Sequence, residues 1–310
     1  MIIRNHLPLR RVWPHVSRRL TLLLVFDFTI AVLYTKAGFH WLSLADLPLT
    51  MIGGALSLFL AFRNNSAYDR WWEARSLWGS LVNTARTFAR QVLTLVDPDP
   101  ASPDDVSDDE SGVLVSRRTL VELQIAYVHA LRCHLRKQNP FPELERTLDP
   151  QVVEYLRGQR NVPAALLLIK GRILRQLFDR GRLDSFRFTA IDRSLTDLCN
   201  VQGACERIKN TPLPRQYEFF PRLLVHMYCF LLPFGLVAGL GMLTPLASTL
   251  VSFIFVSLDT IGRDIENPFE NTVHDTPMST LTRAIEVNLR QNLDQDEIPA
   301  EVRPVEGFSY

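Results

Sequence analysis

A twenty-residue stretch of this chain combines apolar bulk and carboxylates in a pattern suited to handling ions rather than to making or breaking bonds. At ~100° per residue from Phe62, Leu58 and Gly54 fall one and two turns earlier on one side of a helix, and Ser66, Asp69 and Glu73 fall later on that same side. One helical face therefore turns from apolar to acidic. An apolar surface strips water from an ion at high cost, whereas a carboxylate attracts cations. On spacing alone, however, Leu58 and Phe62 are the i, i+4 pair of an ordinary packed helix.

Bond-making chemistry has little support elsewhere. There is no GxGxxG, P-loop or nucleophile elbow, and no nucleophile and base stand in a recognisable setting, so no enzyme, catalytic residue or cofactor is expected. His129 and His134 are five apart and do not share a helical face, which favours a core or surface role over a metal pair. Cys133, Cys199, Cys205 and Cys229 form no CxxC pair and read as reduced, packed thiols of a cytosol-facing protein. The acidic stretch Asp97 to Gly112, with Asp97, Asp99, Asp104, Asp105, Asp108, Asp109 and Glu110, lacks the spacing and central Gly of an EF-hand and reads as a solvated linker. No metal site is expected.

The elements that carry the apolar-to-acidic face are membrane-like. Of 310 residues, 47% are hydrophobic and 22% charged, which fits a protein divided between lipid and water. A net charge of +1 gives no field to draw in nucleic acid. Four hydrophobic segments approach the ~20 residues needed to cross a bilayer: Leu20 to Leu33, extendable to Phe39; Leu47 to Phe62; Leu223 to Leu243; and Pro245 to Ile261. Thr244 alone separates the last two, which predicts a tight hairpin. The run from Met51 to Arg75 passes from apolar to amphipathic without a Pro break.

Arginines place the ends. Arg4, Arg10, Arg11, Arg18 and Arg19 precede the first segment, Arg63, Arg70 and Arg75 follow the second, and Arg222 and Arg263 flank the second pair. The positive-inside rule then puts both termini and the middle region in the cytoplasm of a multi-pass inner-membrane protein. A signal peptide is disfavoured by Asp27 within the apolar stretch and by the lack of a small-residue cleavage site. Residues 1–19 are an N-terminal segment, 20–75 the first membrane pair, 76–221 a helical cytosolic domain, 222–263 the second pair, and 264–310 a turn and final helix. Helices are expected at Ser76 to Val96 and Leu114 to Lys137, shorter helical pieces from Pro150 to Leu183 and Asp184 to Asn210, and a last helix at Ser279 to Leu293. The fold class is thus all-α membrane protein.

Two motifs carry a family resemblance. Phe62-Arg63-Asn64-Asn65 followed by Tyr68-Asp69-Arg70-Trp71-Trp72-Glu73-Ala74-Arg75 resembles the second-helix signature of the bestrophins, especially their bacterial branch. Glu266-Asn267-Pro268-Phe269 resembles the family's turn after the fourth span, and Gly203 to Ile208 with Pro212-Leu213 fits the bacterial pattern before the third. The similarity runs from the basic N-terminus to about Leu293. It implies a homopentamer with four spans per subunit around one shared pore, in contact with lipid and permeant monovalent ions. It further implies a neck at Gly54, Leu58 and Phe62, where a bulky residue is usual in place of Gly54.

With Asp69 and Glu73 as charge below that neck, cations such as sodium are expected to be favoured, with a chloride channel as the alternative. Arg63 and Arg70 on an adjacent face would offset the carboxylates. Arg70, Trp71, Trp72 and Arg75 read as interfacial anchors and packing residues. Asp27 and Asp259 are expected to pair within the bundle with Arg222, His226 or a serine. Animal bestrophins carry consecutive acidic residues after Asn-Pro-Phe and hold calcium there. This chain has only Glu270 and Asp275, so calcium activation is not expected, and the final helix would wrap a neighbouring subunit. A membrane scaffold or regulator without conduction stays open as a different class, whereas a transporter is disfavoured by the lack of internal repeats.

Overall fold

The computed structural model describes residues 9–44, 47–97 and 117–304. The acidic stretch after Asp97 and the N-terminal arginine Arg4 lie outside these residues. Among the described residues there are ten α-helices and no strands. They are α1 Leu9–Thr35, α2 Leu49–Leu95, α3 Arg117–Arg136, α4 Phe141–Leu144, α5 Pro150–Arg157, α6 Val162–Asp179, α7 Ser185–Asn210, α8 Arg215–Leu240, α9 Thr244–Glu266 and α10 Met278–Asn292. Short 3-10 turns lie at His40–Leu42 and Gly241–Leu243. The chain divides into two compact units.

One unit comprises Ile2–Trp72 and Pro212–Asn267, hence α1, the start of α2, α8 and α9. Helix α1 begins eleven or so residues before its apolar segment, because arginines are good helix formers and what starts at Leu20 is hydrophobicity, not helicity. Helix α9 packs on both α1 and α8. The core holds Leu20, Leu56, Leu60, Val225, Tyr228, Cys229, Leu232, Phe255 and Val256. Gly53 is required where Tyr228 crosses α2, since a Cβ there would lie 2.5 Å from the phenol oxygen. Outside this core the surface is apolar: Leu22, Val25, Phe28, Leu246, Leu250, Phe253 and Ile254 are all exposed, as on a lipid-facing bundle. The segment Arg215–Glu266 is long and apolar enough to cross a membrane.

Polar side chains face inward in this unit. Thr244, Ser248, Ser252, Asp259 and Glu266 form a buried stripe on α9 at spacings of four and seven. Asp27 of α1 is fully buried and accepts a hydrogen bond from Thr249 Oγ1 at 3.2 Å. It is paired with a threonine hydroxyl, where Arg222, His226 or a serine was expected. Arg222 pairs instead with Glu218, and the His226 ring contacts the Arg222 carbonyl.

The larger unit comprises Glu73–Thr211 and Pro268–Tyr310. Helix α3 is buried nearly all round, from Leu120 to Leu135, and is packed by α6, α7 and α10. From α2 come Ala74, Trp78, Leu81, Ala85, Phe88 and Val92, at spacings of three and four. Local signals set the helix starts: Asp149 caps α5, Asn161 caps α6, and Asp184 accepts from the Phe186 and Arg187 amides of α7. The shorter helical pieces expected from Pro150 to Leu183 are α5 and α6, divided where Asn161-Val162-Pro163 is a start signal. Helix α10 packs on α3 of its own chain. Cys199 is exposed, not packed, whereas burial pushes the Cys205 thiol up to about 12.

Among the described residues, the buried cation Lys170 has no carboxylate partner. Lys170 is fully buried, its Nζ donating to Gln124 Oε1 at 2.6 Å and lying 4.4 Å and 5.0 Å from the Tyr127 and Phe88 ring centres. Burial holds its ammonium well below the usual lysine range. Replacing such a polar pair by apolar isosteres is commonly neutral or stabilising. The double variant Lys170→Met with Gln124→Leu is expected to melt no lower than the wild type. A drop of more than a few degrees would show that the ring and amide contacts exceed the desolvation cost.

Candidate functional site

Helix α2 has two faces with different partners. Its buried side within the first unit is Gly53, Leu56, Leu60, Arg63 and Ala67, a repeat of three and four that seats the helix on its neighbours. The opposite side carries Gly54, Leu58 and Phe62. Leu58 and Phe62 are 58% and 59% exposed, and a Cβ built on Gly54 would meet nothing within 4 Å. Leu58 and Phe62 therefore do not serve as core packing in this chain. Asp69 continues this side as an exposed carboxylate without a partner among the described residues.

Glu73, the first residue of the larger unit, is different. Its carboxylate is ion-paired with the Arg207 guanidinium of α7. The stripe expected to carry two free carboxylates thus carries one. Arg63 does not offset it either: the side chain is 1% exposed and its Nη1 lies 2.6 Å from Asp259 Oδ1. Asp259 thereby finds arginines, Arg63 and Arg263, where Arg222, His226 or a serine was expected. Arg70 reaches the Glu266 carbonyl with Nε at 2.9 Å.

The remaining motif residues have structural partners. Asn64 Nδ2 donates to the Leu258 carbonyl at 3.0 Å, while Asn65 is exposed. Tyr68 stacks at 6.2 Å on Trp71 and 6.4 Å on Trp72, making an aromatic patch suited to a membrane boundary. Asn267 ends α9. Pro268 accepts a hydrogen bond from the Thr276 amide, and Phe269 is buried in the core of the larger unit. In the following turn, Asp275 accepts from the Thr272 amide at 3.1 Å and Glu270 meets Lys209 Nζ at 2.7 Å. Both carboxylates are engaged within the chain. His129 bonds Glu286, and His134 lies 3.4 Å from Glu206, so neither histidine faces the other.

Sequence reasoning missed the partnership of Arg63 with Asp259. The signal was present: Asp259, Arg263 and Glu266 recur at four and three on an otherwise apolar helix. What was absent was any indication of which helix they faced.

Comparison with known proteins places this arrangement among relatives. A family model described as Bacterial/Fungal Bestrophin protein matches residues 9–291. The chain is 37% identical over 310 residues to the voltage-dependent anion channel-forming protein RSc3414 of Ralstonia nicotianae, covering 96% of each chain. It is 36% identical over 288 residues to the voltage-dependent anion channel-forming protein YneE of Escherichia coli K12, covering 91% of this chain and 89% of that one. The crystal structure of a bacterial bestrophin homologue from Klebsiella pneumoniae superimposes with a TM-score of 0.82 at 29% identity, covering 91% of this chain and 100% of that chain.

Proposed function

We propose that this chain, which belongs to the bacterial/fungal bestrophin family of membrane ion channels, is one subunit of a homopentameric anion channel whose path is lined by the exposed side of α2. The observation that carries this reading is that side itself. Gly54, Leu58 and Phe62 stand clear of the chain's own packing and are followed on one helix by Asp69. Five such sides around an axis make a narrow apolar neck that passes ions when wetted and blocks them when dry. Helix α1, the start of α2, α8 and α9 are the four spans; at 1.5 Å per residue the 27, 26 and 23 residues of α1, α8 and α9 each exceed the ~30 Å hydrocarbon core. The arginines flanking them favour an inner-membrane protein with both termini in the cytoplasm.

Chloride replaces sodium as the favoured ion for two reasons. Curated relatives over 90% of the chain bear anion-channel names, and the expectation of cations rested on two free carboxylates, one of which Arg207 neutralises. Purified protein in a planar bilayer under asymmetric sodium chloride is expected to reverse near the chloride potential. Reversal near the sodium potential would overturn the anion assignment, and a monomer or dimer in detergent would sink the shared path. Neutralising the remaining charge with Asp69→Asn is expected to raise inward anion conductance roughly twofold to fivefold, as removal of a like-charged ring at a narrow mouth does. A fall in conductance would instead mark Asp69 as a cation attractor.

A further inference from the structure

Phe62 and the buried Arg63 are adjacent on one helix, so their directions differ by ~100° and cannot change independently. The environment of Arg63 is closely specified. Its Nη1 lies 2.6 Å from Asp259 Oδ1 and its Nη2 lies 3.9 Å from Glu266 Oε2, while Arg263 Nε approaches Asp259 Oδ2 at 3.3 Å. Two cations and two anions thus close a neutral cluster, with Arg63 and Asp259 each 1% exposed. Asn64 Nδ2 bonds the carbonyl of Leu258, and Asn64 Oδ1 sits over Gly262 so closely that a Cβ there would be 2.1 Å away. About two helical turns further along α2, Arg70 Nε holds the Glu266 carbonyl at 2.9 Å.

We propose that Arg63, Asn64, Asp259 and Gly262 form a clamp that sets the rotation of α2 about its own axis and so holds the Phe62 ring in the conducting path. The proposal rests on the α2 path described above and assigns a gating role to residues that touch no permeant ion. Turning Phe62 away drags the Arg63 guanidinium from two carboxylates into an apolar bundle, where an unpaired charge is expensive. The clamp therefore favours the shut neck. Opening requires either that α9 move with α2 or that the ion pair break. Gly262 is part of the device because only a residue without a side chain lets α9 come close enough for Asn64 to reach Leu258.

Asp259→Asn weakens the pair electrostatically, and Gly262→Ala pushes against Asn64 and the edge of the Arg63 guanidinium while leaving the number of charges unchanged. In planar bilayers both are expected to raise open probability about fivefold, the response of a two-state equilibrium to a modest bias, with unitary conductance, reversal potential and oligomeric size unchanged. The charge exchange Arg63→Asp with Asp259→Arg is expected to return open probability towards the wild-type value. Where Asp259→Asn fails to assemble, Gly262→Ala decides. A readout free of current is the labelling of Phe62→Cys by a membrane-impermeant thiol reagent, measured against the exposed Cys199, which should quicken when Gly262→Ala is added. A wild type that conducts nothing counts against the α2 path, whereas the labelling still reports on the clamp. Unchanged gating and labelling in the Gly262→Ala protein overturn the clamp, and so does a shifted reversal potential in Asp259→Asn, which would make these charges ion contacts.

Discussion

Truncating Phe62 to alanine is expected to raise current through the purified channel by roughly tenfold or more, with Leu58→Ala giving a smaller rise, because apolar constrictions gate by dewetting and a wider ring wets more readily. Both side chains are more than half exposed in the subunit, so truncation removes few contacts from its core. Melting temperature should therefore hold while current climbs. Leu60→Ala is the matching control, since Leu60 is fully buried and such truncations cost about 2–5 kcal/mol. Loss of stability at Leu60 together with a gain of current at Phe62 separates the two sides of α2. The Leu58/Phe62 double variant is not expected to be additive, because the two residues stand one turn apart on the same side of α2. Planar-bilayer currents identical to wild type in both single variants would return Leu58 and Phe62 to lipid contact.

Glu286→Gln should destabilise the larger unit by about 3 kcal/mol at neutral pH, the second large effect. Its carboxylate is 7% exposed and meets His129 Nε2 at 2.9 Å, Arg283 Nη1 at 2.8 Å and Arg290 Nε at 3.0 Å, tying α10 to α3. Burial pushes the carboxyl up, but the hydrogen bond and charge of His129, then the charge of Arg283 and the bond from Arg290, outweigh it and hold it at about 2, against an ordinary value of 4.5. A carboxyl held low in the folded state binds fewer protons there than when unfolded. Its stabilisation is therefore complete above the ordinary value and lost as pH falls from 4.5 towards about 2. Thermal melts in detergent between pH 7 and pH 3 test this: the wild type should lose its advantage over Glu286→Gln across the acidic part of that range. Equal melting at pH 7 would show that the cluster contributes nothing net.

The sequence made the helical class and the apolar-to-acidic side of α2 legible, because both depend on spacing within one element. Gly54, Leu58 and Phe62 emerge on the open side by the same angular count that placed them there. Contacts between distant elements were not legible. Nothing in the order of residues tells Glu73 that Arg207 lies opposite, or Asp259 that Arg63 does, since each pair is more than a hundred positions apart. The charge of a site consequently read as the sum of its acids, and the expected ion followed from that sum. The starts of α6 and α7 show the intermediate case: Asn161 and Asp184 are local cap signals, visible in the chain, and the Asp184 boundary was expected while the Asn161 boundary lay unplaced among shorter pieces.

Asp27 carries an implication for how the protein is made. Its hydroxyl partner Thr249 follows it by 222 residues. At ribosomal rates of about 5–20 residues per second, roughly ten to forty seconds separate their synthesis. With α1 as the first of the four proposed spans, it sits in the bilayer during that interval with a carboxyl within its apolar stretch, a position that insertion measurements charge at ~2.5–3.5 kcal/mol. Early residence of that helix near the insertion machinery, followed by arrival of the final hairpin, is the order of biogenesis that a buried acid this far upstream imposes.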